Sequence, residues 1–287
     1  MAATPNNEGD RLPNPTWLAG CGNMGQAMVA GWRSAGIDLS NAVVIRPSGT
    51  PVEGVRTVNE FASAGAQPRL VILGFKPQKL DEVAAQLRPW LTSKAMIVSL
   101  LAGVELATLK HHFPKSAAIV RAMPNLAVEI RRGVIALGSE DADDDQRLML
   151  ANLFAPLGFA PWMADEAKLS AVGSVAGAGP AYVARFVAAL AKAGVKRGLS
   201  EEMAATIALE TVLGTAWMAA ASGESMAKLA TRVASPKGTT EAGLAVLDHD
   251  HVLDKLVALA IDASARRGAE LAREAKPELL AASRQPS

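Results

Sequence analysis

The chain has 287 residues, half of them hydrophobic and a fifth charged, with a formal net charge of +1. That is long enough for two cored domains, and too nearly neutral to hold nucleic acid through a general basic field. One cysteine, Cys21, excludes an intramolecular disulfide and fits a reducing compartment.

In chain order, the opening "MAATPNNEGDRLPNP" has neither a basic start nor an apolar centre, so it does not read as a signal peptide. Residues 1–14 are expected to form a disordered leader. Short β-rich runs follow at Thr16–Ala19, Ala42–Ile45, Leu70–Phe75, Met96–Leu101, Ala117–Arg121 and Gly133–Leu137. Segments of helical period lie between several of them, at Asn23–Ala35, Pro77–Leu87 and Asp143–Leu153. Strand and helix in alternation predict an α/β fold, a Rossmann-type parallel sheet covered on both faces. The runs "LVILGF" and "MIVSLL" do not alternate, as expected of strands buried on both sides.

The first strand runs into "GCGNMG". Gly20 permits a tight turn, Gly22 lets backbone amides approach a diphosphate, and Gly25 is expected to let helix and strand pack closely. The helix that follows presents its positive end. In this strand–turn–helix context the glycines predict a dinucleotide site. Cys21 reads as a small residue within the turn.

The second strand selects the dinucleotide. It ends on Arg46, Pro47 and Ser48, with no carboxylate where an NAD site binds the ribose hydroxyl. A guanidinium and a hydroxyl suit a 2′-phosphate, which predicts NADPH, with NADH as the other option. The run "EDADDD" at 140–145 reads as a solvated helix start. His111, His112 and "DHDH" at 248–251 read as surface residues, and no metal site is expected.

After "LGFAPWMADEAK" the pattern changes. From Lys168 onward Ala-rich helical stretches follow, with Ser200 and Ser225 as N-caps. This predicts a boundary near Met163: an NAD(P)-binding domain over 15–163 and an all-α domain over 164–287. "AYVARFVAALAKAGV" and "IALETVLGTAWMAAASG" are interrupted by Arg185, Lys192 and Glu210, and no apolar run reaches the ~20 residues of a membrane span. They read as buried helices of a cytoplasmic protein, too apolar for one small domain, so a homodimer is expected. Pro180 in "AGAGPAYVARF" reads as a helix start. "ASPKGTTEAGL" places Ser235, Gly238, Thr239 and Thr240 at a helix N-terminus, where amides and hydroxyls form a pocket for a small carboxylate.

"GCGNMG", "GFKPQ", "RAMPN", "AGAGPAYV" and "SPKGTTEAGL", in this order, resemble pyrroline-5-carboxylate reductase, the last enzyme of proline biosynthesis. The likeness spans roughly residues 16 to 272. It implies a Rossmann domain that binds NAD(P)H and a helical domain that forms an interlocked dimer or an oligomer of dimers. It implies that Ala19, Gly20, Cys21, Gly22, Asn23 and Met24 line the diphosphate, with Arg46 and Ser48 at the 2′-phosphate and Asn59 on the adenosine side. Lys76, Pro77, Ala102 and Gly103 fall where the family contacts cofactor. Met123, Pro124 and Asn125 fall beside the nicotinamide. The cyclic imine is expected against Ser235, Gly238, Thr239 and Thr240, with Thr240 as the catalytic hydroxyl facing the ring nitrogen. The chain departs from the family pattern at Leu126, Ala176, Ala178 and Lys237. Besides a reductase of a related cyclic imine, two rivals share part of this pattern. One is a β-hydroxyacid dehydrogenase, which would carry a lysine soon after Gly177 and Gly179. The other is a non-catalytic NADPH-binding regulator.

Overall fold

A computed structural model describes residues 12–274. Of the expected leader, residues 1–11 lie outside the described residues, as do 275–287 at the other end. Leu12 is buried in the core and Thr16 donates to the Pro13 carbonyl at 2.6 Å, so ordered chain begins before Pro15.

The eight strands are β1 (Thr16–Ala19), β2 (Ala42–Ile45), β3 (Arg56–Val58), β4 (Leu70–Leu73), β5 (Met96–Ser99), β6 (Ala118–Pro124), β7 (Gly133–Gly138) and β8 (Gly158–Phe159). They form one sheet in the order β3-β2-β1-β4-β5-β6-β7-β8. Pairing is parallel from β3 through β6, antiparallel between β6 and β7, and parallel again at β8. The antiparallel step departs from the all-parallel expectation, because only a short 3-10 turn, Leu126–Ile130, links β6 to β7. β3 and β8, short and at the edges, were not foreseen. Neither was a helix at Leu106–His112.

Every residue of β1, β2, β4 and β5 is buried. Alternate residues feed two cores. Leu18, Val44, Ile72 and Val98 pack with Trp32 of α1 (Asn23–Ser34) and Phe154 of α4 (Asp144–Phe154). Trp17, Val43, Val71 and Ile97 pack with Leu80 and Leu87 of α2 (Leu80–Leu87) and Leu106 of α3 (Leu106–His112). This double burial is why the runs read as continuous apolar stretches. The Trp32 indole donates to the Leu153 carbonyl at 2.8 Å, so its polar end is satisfied inside the core. α4 opens on a capping box between Asp143 and Gln146, within the acidic run.

Two compact units emerge from the contacts: residues 12–178 with 264–274, and Gly179–Ala263. The change of composition near Met163 does not coincide with this division. α5 (Glu166–Val172) packs on the sheet unit, where Leu169 is fully buried and touches the surface of Gly138. The second unit holds α6 (Gly179–Val195), α7 (Glu201–Ser222), α8 (Met226–Val233), α9 (Thr239–Asp248) and the first half of α10 (Val252–Glu274). Ser200 and Ser225 cap α7 and α8 as expected, each accepting from the backbone three residues on.

Pro180 stands in the first turn of α6, as expected, although Glu166–Val195 runs as one 30-residue helical rod with a π turn at Gly173–Gly177 before it. Three other expectations about helices are corrected. This rod and α7 are long and apolar enough, by length and composition, to cross a bilayer, contrary to the expectation that no run is. Nor are they buried: α6 buries no residue and α7 only Ala204 and Ala208. A single chain has too little structure to cover helices apolar on more than one face. His112 is not a surface residue either. Its ring is buried against Phe113, with Nε2 3.3 Å from Asp81, and burial pushes its pKa down despite the Asp81 charge.

Candidate nucleotide site and helical loop

The carboxyl ends of β1, β2, β4 and β5 meet at the point where strand order reverses, the usual place for a ligand in an open α/β sheet. A cavity of about 660 Å³ opens there. Its walls are Gly20 to Gly25, Arg46 to Ser48, Gly74 to Pro77, Leu100 and Ala102. No carboxylate lines it.

The glycines build its floor for separate reasons. Gly20 has φ +77°, and a Cβ there would stand 2.9 Å from both the Gly74 carbonyl oxygen and Phe75 Cβ. Both the conformation and the approach demand glycine. Gly22 is the N-cap of α1, and a Cβ on it would meet nothing within 4 Å. That open space faces a helix N-terminus with no side-chain cap and no acid in its first turn. Backbone amides and the helix dipole are therefore available to an anion. The expectation for Gly25 is corrected: its close neighbour is the Cys21 thiol, 3.0 Å from the Cβ position, not the strand. The tight helix approach falls at Gly31, where a Cβ would stand 2.3 Å from the Val128 carbonyl oxygen.

Cys21 is buried, and burial pushes its thiol up to about 11, with the charge of Arg46 offsetting part of the effect. It is neutral at physiological pH and no nucleophile. Arg46 is half-buried at the end of β2, where its backbone amide donates to Val58. Its Nε donates to Ser48 Oγ at 3.1 Å. The same oxygen receives the Thr50 amide at 3.3 Å and lies 3.0 Å from the Thr50 hydroxyl. Thr50 is a member of this cluster that sequence reading missed; a hydroxyl two residues beyond Ser48 in a Gly-containing turn was the available signal.

Of the expected cofactor residues, Gly20, Cys21, Gly22, Asn23, Met24, Arg46, Ser48, Lys76, Pro77 and Ala102 are brought to this one cavity. Phe75 and Leu100 join them unforeseen. Ala19 is buried in β1 behind the wall, and Asn59 is exposed beyond β3. Gly103, φ +76°, abuts the backbone of Leu271 and Ala272, whose approach excludes a Cβ. Met123, Pro124 and Asn125 form the end of β6 and its following residue, outside the cavity wall. Asn125 is buried and both ends of its amide are engaged by protein: Val134 N–H donates to Oδ1 at 3.2 Å, and Nδ2 donates to the Ala176 carbonyl at 3.0 Å.

In the second unit, Gly238 is the N-cap of α9, and its amide donates to the Ser235 carbonyl at 3.0 Å. No side chain caps α9, and the hydroxyls of Thr239 and Thr240 have no hydrogen-bond partner among the described residues. Thr240 is half-buried, Thr239 and Ser235 exposed. Lys237 holds φ +59°, a conformation that favours glycine, and its amide donates to the Glu241 carboxylate. No group of three or more potential metal ligands exists among the described residues.

Comparison with known proteins supplies the context. A family description of pyrroline-5-carboxylate reductase dimerisation matches residues 166–271, and one of coenzyme F420-dependent NADP oxidoreductases matches 17–103. A pyrroline-5-carboxylate reductase from Pseudomonas aeruginosa is 35% identical over 265 residues, 89% of this chain and 96% of that protein. One from Bacillus subtilis is 32% identical over 88% of this chain and 94% of its own length. The solved structure of a pyrroline-5-carboxylate reductase from Coxiella burnetii superposes with a TM-score of 0.83 at 30% identity, covering 91% of this chain and 99% of that one. With sequence and fold both matched over nearly the full length of these relatives, the chain belongs to the pyrroline-5-carboxylate reductase family.

Proposed function

We propose that the chain reduces 1-pyrroline-5-carboxylate to proline with a nicotinamide cofactor, preferring NADPH. The observation that carries the reading is that a member of this family holds an uncapped glycine-turn cavity in one unit and, separately in the other, a hydroxyl-rich helix N-terminus with no side-chain cap. The residues of the cavity fit the cofactor. The α1 amides and the open face of Gly22 suit a diphosphate, and Arg46, Ser48 and Thr50 suit a 2′-phosphate that a carboxylate would repel. A nicotinamide cofactor, when bound, supplies the hydride.

The protein's own task is small. It must hold a carboxylate, keep the ring nitrogen protonated so that the imine carbon is electrophilic, and orient the ring. The amides of Thr239 and Thr240 with Ser235 hold the substrate carboxylate, and the Thr240 hydroxyl hydrogen-bonds the ring nitrogen. Lys237 offsets the charge that Glu241 brings to the same helix start. No histidine is required. Residues 15–163 serve as the cofactor domain and the helical remainder as the substrate and dimerisation domain of a cytoplasmic homodimer.

The test measures NADPH consumption with pyrroline-5-carboxylate, pyrroline-2-carboxylate and 3-hydroxy acids as alternative substrates. Turnover restricted to pyrroline-5-carboxylate is expected. Turnover of a 3-hydroxy acid, or cofactor binding without turnover of any of the three, would overturn the reading.

A further inference from the structure

The buried amide of Asn125 joins the end of β6 to the helical rod at one particular carbonyl. The partners fix its orientation without ambiguity, since the Val134 amide can only donate and the Ala176 carbonyl can only accept. Ala176 lies four residues before Pro180. Proline has no N–H, so the i→i−4 bond that an α-helix would place on the Ala176 oxygen does not exist. At this place the rod widens into the π turn Gly173–Gly177, the sort of local departure a missing donor provokes.

Two further contacts fasten the same strand end to the same rod. Arg121, buried, donates to Glu166 at 2.7 Å, and Glu166 also accepts from the first amide of α3. The Met123 methyl fills the space over Gly173, where a Cβ would stand only 2.2 Å from it.

We infer that Asn125 is a positioning residue that supplies the donor Pro180 lacks, locking the π turn to the end of β6 rather than contacting cofactor through its side chain. The side chain is buried and outside the cavity wall, and one N–H and one lone pair of its amide are committed to Ala176 and Val134, which orients the group toward the rod and β7. Its effect on reaction is indirect: it fixes where Met123 and Pro124 stand relative to the turn.

The inference predicts a coupling. Replacing Pro180 by alanine restores an N–H aimed along the helix at the Ala176 oxygen, so P180A should compensate for loss of Asn125. The first measurement is thermal unfolding of wild type, N125A, P180A and N125A/P180A, which does not depend on the chain reducing anything. N125A should lower Tm by on the order of 5 °C, and P180A should recover at least half of that loss in the N125A background while adding little to wild type. Equal effects of P180A in both backgrounds would overturn the inference. Should N125A give no soluble protein, N125D reads the same coupling. It keeps the shape and the Val134 contact but turns an oxygen toward the Ala176 carbonyl.

The second measurement rests on the reductase reading and separates positioning from mere support of the fold. At a temperature where all variants are folded, N125A should lower kcat about ten-fold with KM for NADPH changed less than two-fold, and P180A should restore kcat in the double variant. A raised KM for NADPH with kcat unchanged would show direct cofactor contact and overturn the assignment. If wild type itself turns over no imine, the reductase reading fails while the stability cycle still decides the role of Asn125.

Discussion

Replacing Arg46 by alanine should separate the two nicotinamide cofactors. In the structure the guanidinium is anchored by Nε on Ser48, and the backbone is pinned to Val58, so its remaining N–H groups face the cavity from a fixed base. A hydrogen bond to a charged group contributes about 1.5–3 kcal/mol, and Arg46 is only half-buried, which puts it nearer the lower end. Since 1.36 kcal/mol is a factor of ten, KM for NADPH should rise roughly ten-fold, and KM for NADH, which has no 2′-phosphate, by less than two-fold. Arg46→Lys keeps the charge but loses the fork and the Ser48 contact, so an intermediate loss is expected. Raising ionic strength should narrow the gap between wild type and variant, because salt screens an exposed ion pair. Steady-state kinetics with both cofactors at saturating imine provide the assay. If Arg46→Ala loses the same factor with NADH as with NADPH, the residue does not read the 2′-phosphate and the assignment of Ser48 and Thr50 falls with it.

Other expectations concern stability, substrate and assembly. Cys21 has its thiol pushed from 9.0 to about 11 in the folded chain, so folding stability should be full below pH 9 and fall between pH 9 and 11. The loss should reach about 2–3 kcal/mol, with the slope absent in Cys21→Ala; urea unfolding across that range would expose a wrong sign. Gly31→Ala places a methyl 2.3 Å from a backbone carbonyl oxygen and should destabilise by about 1–3 kcal/mol, whereas Gly22→Ala should leave unfolding unchanged within ~1 kcal/mol and weaken cofactor binding. Thr240→Val keeps the β-branched shape and removes the hydroxyl, so kcat/KM for the imine should fall about ten-fold with NADPH affinity unmoved; wild-type turnover would reduce Thr240 to part of a helix start. Sedimentation at low micromolar concentration should show a dimer and no folded monomer, and a stable active monomer would refute the homodimer.

How much of this was legible in the sequence depends on where the information resides. The four central strands were readable because burial on both faces leaves an uninterrupted apolar run, and Leu70–Leu73 has no other use for one. β3 was not, since three residues, half exposed and pairing along a single edge, carry no such signature. The glycine turn was readable in kind and misread in detail. Gly20 answers both to its own backbone angle and to Gly74 and Phe75 beside it, Gly25 answers to Cys21 one turn back, and Gly31 answers to Val128, a neighbour that only the fold brings to it. His112 was misread for the same reason: a polar residue at the end of a short helix looks solvated until Phe113 and the Asp81 helix start are folded around it. Asn125 is the instructive case. "MPN" marks the position, but only the fold shows that its amide is spent on Val134 and Ala176.

The second unit inverts the usual relation between pattern and burial. Met203, Ile207, Leu213 and Trp217 stand exposed along α7, and Val183, Phe186 and Leu190 along α6. Such residues read as buried, yet the described residues of one chain leave them largely exposed. Exposed large apolar side chains in this number are unusual on a soluble monomer and need a cover. A bilayer would meet Arg185, Lys192 and Glu210 within the same helices, each costly in hydrocarbon. A second copy of the chain offers matching apolar helices and leaves those charges a rim to occupy, which is why the dimer is the cover we propose. The apolar pattern that seemed too rich for one domain is then a property of two, and the sequence of a single chain records it without being able to show its partner.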